Sequence, residues 1–239
     1  MDGETPTEEL SIKEEESPEE EKVVKNYVLS KTIRLLLNLL THVLMMITEF
    51  VCLVFACKSH VGIFELHIIL CVIGYQFFMC QGALTLAKYN VWSGYLRRLH
   101  RIHVHWVLEV IALAMVTAGS VLYLLELPAH FTTLHGGFGL VALGATLLAV
   151  LGGAITGLSY AVQGCAPARK WFKYIHHTIA VIALLLSAIS LSLAFMNPDF
   201  KLWTSKWFEN DELPVPILMF ITLLFTCSVA VEFLLVLWI

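Results

Sequence analysis

After a polar opening stretch, apolar residues run almost unbroken through six segments, roughly Thr32 to Cys57, Phe64 to Leu86, Val104 to Leu125, Leu134 to Leu158, Ile175 to Met196 and Val215 to Ile239. Each is long enough for a hydrocarbon layer of about 30 Å, which takes about 20 helical residues. Lipid offers no partner to backbone polar groups, so a spanning segment is a helix or a strand of a closed barrel. The period-two alternation of barrel strands is missing here. The pattern predicts an all-α membrane protein with six transmembrane helices in residues 32–239. Helices 2 to 5 form a four-helix core over residues 64–196, and residues 1–30 are a disordered acidic tail.

Composition agrees. Of 239 residues, 58% are hydrophobic and 14% charged, and the mean hydropathy is +0.78, which excludes a water-soluble core. Residues 1–21 hold ten acids and Lys13 with little to bury, so ordering them costs entropy without compensating contacts. No basic patch suits nucleic acid. Of the 15 Lys and Arg, only Lys58, Lys201 and Lys206 fall in the first, third and fifth loops. The bias places both termini in the cytosol. The six cysteines show neither zinc-type pairs nor a C-x-x-C-H haem attachment, and read as small apolar core residues.

Ten histidines in so apolar a chain need a reason, because ionisable side chains at membrane depth are costly and mark function by default. His67, His105, His135 and His176 lie near the starts of helices 2, 3, 4 and 5. Successive helices run in opposite directions, so His67 and His135 sit toward the outer face and His105 and His176 toward the cytosol. The intervals His67 to His105 and His135 to His176 are 38 and 41 residues, each one helix plus one loop, as in a duplicated hairpin. In a four-helix core, helices 2 and 4, or 3 and 5, can face each other diagonally, so two imidazoles at equal depth can hold opposite sides of one metal. A haem fits between them. With both axial positions closed, electron transfer is the natural chemistry.

The residue one turn after the ligand is small in three cases, Cys71, Gly139 and Ala180, while Glu109 after His105 breaks the pattern. Gly152, Gly153 and Gly157 give clearance at cytosolic depth. His176 is preferred to His177 because its face continues through Ala180, Ala183, Ser187 and Ser190; that of His177 continues through Val181, Leu184, Ala188 and Leu191 and suits lipid. His42, Glu49 and Glu232 read as hydrogen-bonded packing, with a proton path through His42 and Glu49 as the alternative.

The segments FELHIILCVIGY around His67, HVHWVLEVIAL around His105, TTLHGGFGLVAL around His135 and KYIHHTIAVIALLLSAISL around His176 resemble the cytochrome b561 family, in its short members made of this domain alone. The resemblance covers about Phe64 to Phe195. It implies a six-helix homodimer with two non-covalent haems b per chain in an endomembrane, vesicle or plasma membrane. His67 and His135 would hold the outer haem, and His105 and His176 the cytosolic one. It also implies an ascorbate-dependent transmembrane oxidoreductase that passes electrons to monodehydroascorbate or ferric iron. Many ascorbate-using members carry lysine two residues before the third-helix ligand, where this chain has His103.

Candidate substrate contacts on the cytosolic side are Arg97, Arg98, Arg101 and His103 in one loop region and Arg169, Lys170 and Lys173 in the next, which suit an anionic reductant. Positive charge there is also what the orientation bias requires. In the outer loops, His60 and His130 would meet ferric iron or the radical acceptor. Two rival readings stand beside this one. The first is a proton-coupled metal transporter using His42, Glu49, Glu109 and Glu232. The second is the haem-bearing anchor of a quinone-linked complex. Proline is missing from the four core spans, which counts against the unwound helices of a transporter.

Overall fold

The computed structural model describes residues 18–58, 60–127, 132–161, 166–207 and 213–238. Among the described residues six helices are long and apolar enough to cross a bilayer: α1 (Pro18–Ala56), α2 (Ile63–Thr85), α3 (Arg98–Glu126), α4 (Leu134–Ala161), α5 (Ala166–Ala194) and α7 (Pro214–Leu235). A short helix, α6 (Pro198–Ser205), lies between α5 and α7, and no strand occurs among the described residues. Six crossings bring the start of α1 and the end of α7 to one side, the terminal face. The end of α2, the starts of α3 and α5 and the end of α4 lie there too, and α6 lies on the opposite face.

Helices outrun the apolar segments. α3 begins at Arg98 rather than Val104, and α5 at Ala166 rather than Ile175, because hydrophobicity marks the hydrocarbon layer while backbone hydrogen bonding continues until a residue stops it. The largest correction concerns residues 18–30, expected to be disordered and found as the first turns of α1. Pro18 suits a first helical turn, and Glu19 follows it at the positive end of the helix dipole. The remainder of the expected tail, residues 1–17, lies outside the described residues.

α2 is not one regular helix. Its α-helical turns Ile63–Val72 pass into a π-helical segment, Ile73–Met79, before resuming at Cys80–Thr85. Such segments hold more residues per turn than an α-helix. Within it, Gly74 meets α3 so closely that a Cβ would lie 2.5 Å from Val116 Cγ1.

Packing groups the helices in pairs. α2 lies along α3, and α4 along α5, whereas the two hairpins touch one another far less. α1 and α7 pack together, α1 against α2 and α7 against α5. Met45, Leu84, Val116, Leu184, Phe225 and Phe233 fill the main core. Near the opposite face, Asn197 caps α6 by accepting from Asp199 N at 2.8 Å. Phe200 of α6 then meets Phe55 edge-on, with ring centres 5.0 Å apart.

Candidate functional site

The structure sets His67 of α2 opposite His135 of α4, with ring centres 6.1 Å apart and planes at 81°. At the other end of the core His105 of α3 faces His176 of α5, at 6.2 Å and 73°. Two imidazoles bound through Nε2 to opposite sides of one metal, at about 2.0 Å each, have ring centres about 6.3 Å apart. Both pairs are spaced for one shared atom.

Each Nδ1 is already engaged. His67 donates to Gly119 O (3.1 Å), His105 to Gly82 O (2.9 Å), His135 to Ser190 O (2.8 Å) and His176 to Ala149 O (2.9 Å). Every one of these bonds crosses within a hairpin, from one helix to its neighbour. A neutral ring that donates through Nδ1 keeps its Nε2 lone pair free for a metal, and such an outer partner fixes both tautomer and ring orientation. At His135 the hold is doubled, since the Ser190 hydroxyl also donates to the His135 carbonyl at 3.0 Å.

Glycine makes these approaches possible. At Gly119 a Cβ would lie 2.8 Å from Leu70 Cβ, so only glycine lets α3 bring its carbonyl to His67. Gly82 answers the puzzle of Glu109: the carboxylate occupies the space where a Gly82 Cβ would stand, 2.5 Å from Oε1, and comes within 3.6 Å of His105 Nδ1. The small residue missing one turn after His105 is supplied by the neighbouring helix. Gly153 clears the His176 ring, since a Cβ there would be 3.1 Å from its Cε1. Gly139 instead gives room to Ser190 Oγ, and Gly157 faces open space.

The two sites differ in their aromatic neighbours. Tyr123 of α3 stacks on His67, with centres 4.8 Å apart. His177 was expected on a lipid-facing surface; it is only 5% exposed and lies flat on Phe233 of α7, at 4.5 Å and 11°. The helical wheel identified its face correctly, but α7 covers that face. Sequence reasoning missed Tyr123 and the four carbonyl acceptors; the glycines at 82 and 119 were the available signals.

Among the expected substrate contacts, Arg97, Arg98, Lys170 and His103 are exposed at the terminal face, with His103 two residues and so about 200° around α3 from His105. Arg98 of α3 and Lys173 of α5 lie within electrostatic reach of each other. Arg101 serves the fold. Its Nη1 donates to the Leu86 and Ala87 carbonyls at 3.1 and 3.2 Å, closing the end of α2. Arg169 lies over the Tyr160 ring at 4.7 Å, and Lys173 Nζ donates to Val236 O at 3.4 Å. His60 is exposed on the opposite face, and His130 lies outside the described residues.

Each pair offers two imidazoles, and among the described residues no group of three or more His, Cys, Asp or Glu could hold a bare ion. A haem brings four porphyrin nitrogens of its own, so two facing imidazoles fit that group. Fold and geometry together define a class, a multi-pass membrane protein built around two pairs of facing histidines, one toward each end of the core. The sequence profile of eukaryotic cytochrome b561 matches residues 66–201, a stretch that takes in all four paired histidines, and the chain belongs to that family. Membership makes it an integral membrane protein with haem b as its cofactor and haem-dependent transmembrane electron transfer as its activity. No curated protein matches the chain.

Proposed function

We propose that the protein is a transmembrane one-electron reductase with two haems b per chain, moving electrons from cytosolic ascorbate to monodehydroascorbate or ferric iron on the other side. The observation that carries this reading is the pair of imidazole couples, 6.1 and 6.2 Å between ring centres, with every Nδ1 tied to a backbone carbonyl. His67 and His135 would hold one haem, His105 and His176 the other. A haem held in this way would supply a one-electron iron couple.

The chain's own contribution is to fix four neutral imidazoles against helices that cannot rotate without breaking a carbonyl bond. On each core helix the ligand and the carbonyl acceptor of the other site are 14 or 15 residues apart, about 21 Å along the axis. The positive-inside bias supports the terminal face as the cytosolic one. There Arg97, Arg98 and Lys170 present positive charge to water, which attracts an anion such as ascorbate.

The test is a visible spectrum and haem assay of the purified protein. Two haems per chain, both reduced by ascorbate, are expected; a colourless protein, or haem that ascorbate leaves oxidised, overturns the reading. The Arg97→Gln/Arg98→Gln variant should keep its haem and be reduced by ascorbate about tenfold more slowly at low salt, with the gap closing at high salt. An unchanged rate would remove this loop from the reading.

A further inference from the structure

Away from the paired histidines, α1, α6 and α7 enclose a groove of about 660 Å³ at the surface of the helix bundle. Its long walls run from Ile47 to Val54 on α1 and from Ile221 to Pro214 on α7, about 10 Å each, or a third of the hydrocarbon layer. Trp203 of α6 and Trp207 just after it line the end toward the opposite face. The walls are apolar almost throughout. The hydroxyl that borders them, on Thr204, donates to the Lys201 carbonyl at 2.9 Å and has no proton left for a ligand. Such walls give water nothing to bond, and a groove at hydrocarbon depth fills with what the bilayer holds.

The mouth has a different character. Lys58, one turn beyond Val54 on α1, sets its Nζ 3.7 Å from the centre of the Phe55 ring. That ring meets Phe200 and Trp203 of α6 at 5.0 and 5.5 Å. Lys206 ends α6 between Trp203 and Trp207, and Lys201 lies on the same helix. These are the three lysines that the charge bias leaves on the face opposite the termini, and all three are exposed. With Asp199 as the acid of α6, the described part of the mouth carries three positive charges to one negative. Glu209, Asp211 and Glu212 of the loop that follows lie outside the described residues.

Indole rings favour the level where hydrocarbon meets water, and ammonium groups beside them attract phosphate. We propose that the groove is a phospholipid site, with one acyl chain lying between α1 and α7 against the two tryptophans and the phosphate held by Lys58 and Lys206. A chain seated there is walled by three elements, whereas lipid on a single helix face touches one. None of α1, α6 and α7 carries a paired histidine, so the site stands apart from both imidazole pairs.

The experiment is native mass spectrometry of the full-length, haem-loaded protein in detergent, titrated with dioleoylphosphatidylethanolamine. The zero net charge of this lipid keeps general attraction to a charged surface out of the measurement. One lipid per chain should bind first and survive conditions that strip the rest. Dioleoylglycerol, with the same chains and no phosphate, should bind about tenfold more weakly. Lys58→Gln/Lys206→Gln should weaken the phospholipid about tenfold and leave dioleoylglycerol unchanged, which a merely apolar groove would not do. Ile217→Trp fills the groove from a half-exposed position and should abolish the tight lipid, with the thermal melt unchanged. If that variant fails to fold, the lysine pair still decides. Equal lipid uptake by wild type and both variants would mean ordinary boundary lipid and overturn the proposal. So would displacement of the lipid by glycerophosphoethanolamine, which has the phosphate and no chains and would mark a site for free phosphates. A lipid-free dimer that Ile217→Trp splits would hand the groove to a second copy of the chain and overturn it as well.

Discussion

In the α4/α5 hairpin, His135 and Ala149 are 14 residues apart on an uninterrupted helix, and so are His176 and Ser190 on its partner. In the α2/α3 hairpin, His105 and Gly119 keep that interval, but His67 and Gly82 are 15 apart. The extra residue falls in the stretch that contains the π-helical segment Ile73–Met79. More residues per turn absorb one residue without turning the ends of the helix out of register. The hairpins also differ at their acceptors, which are glycine on both helices of α2/α3 and alanine and serine on α4/α5. What the two repeats share is therefore a length, four turns of helix between a ligand and a carbonyl, rather than a set of side chains.

The strongest challenge to this comparison is to remove one ligand. His135→Ala leaves His67 without its opposite ring while His105 and His176 keep their own carbonyl bonds on other turns. The haem-to-protein ratio should fall from two to one, with the protein still folded. Loss of both haems would mean that the sites are not independent and that the repeat is not the working unit.

A one-residue deletion separates the hairpins directly. Deleting Phe77 from the π-helical segment brings His67 and Gly82 to the interval found on the other three helices, so α2 should become regular and both haems should remain. Deleting Ala145, at the matching level of α4, turns Ala149, Gly152 and Gly153 about 100° away from His176. That variant should lose the terminal-face haem. Equal damage from the two deletions, read as haem content, would show that the π-helical segment is not a compensated insertion.

Much of this architecture was legible beforehand because membrane burial writes itself into composition. A run of about 20 apolar residues has one stable solution in lipid, and histidine is too costly there to be incidental. Hence the six spans, their pairing across the core and the four histidines followed from period and depth. The π-helical segment did not, since a single added residue leaves the apolar run of α2 unbroken. α6 was missed although Asn197-Pro198-Asp199 is a helix-start signal, because the segment is too short to stand out as a span. His177 was misplaced because a helical wheel shows which face a residue lies on but not which helix covers it. Glu109 was unexplained for a similar reason, since the glycine that accommodates it belongs to a different helix.

That last contact yields the mildest of the tests. An added methyl in Gly82→Ala would stand 2.5 Å from Glu109 Oε1 and 3.0 Å from its Cδ, so either the carboxylate moves or α2 and α3 part, and the Gly82 carbonyl shifts from His105. Overpacking of this kind costs about 1–3 kcal/mol. Glu109→Ala vacates the space, so Gly82→Ala should be nearly harmless in that background, with a coupling of about 1–2 kcal/mol in a double-mutant cycle read from thermal release of haem. Gly139→Ala in the other hairpin meets Ser190 Oγ at a looser 3.2 Å, and should cost less and show no coupling to Glu109. If Gly82→Ala costs the same with Glu109 present or removed, the carboxylate is not what the glycine makes room for, and the exchange of a small residue between α3 and α2 fails as the explanation of the broken pattern.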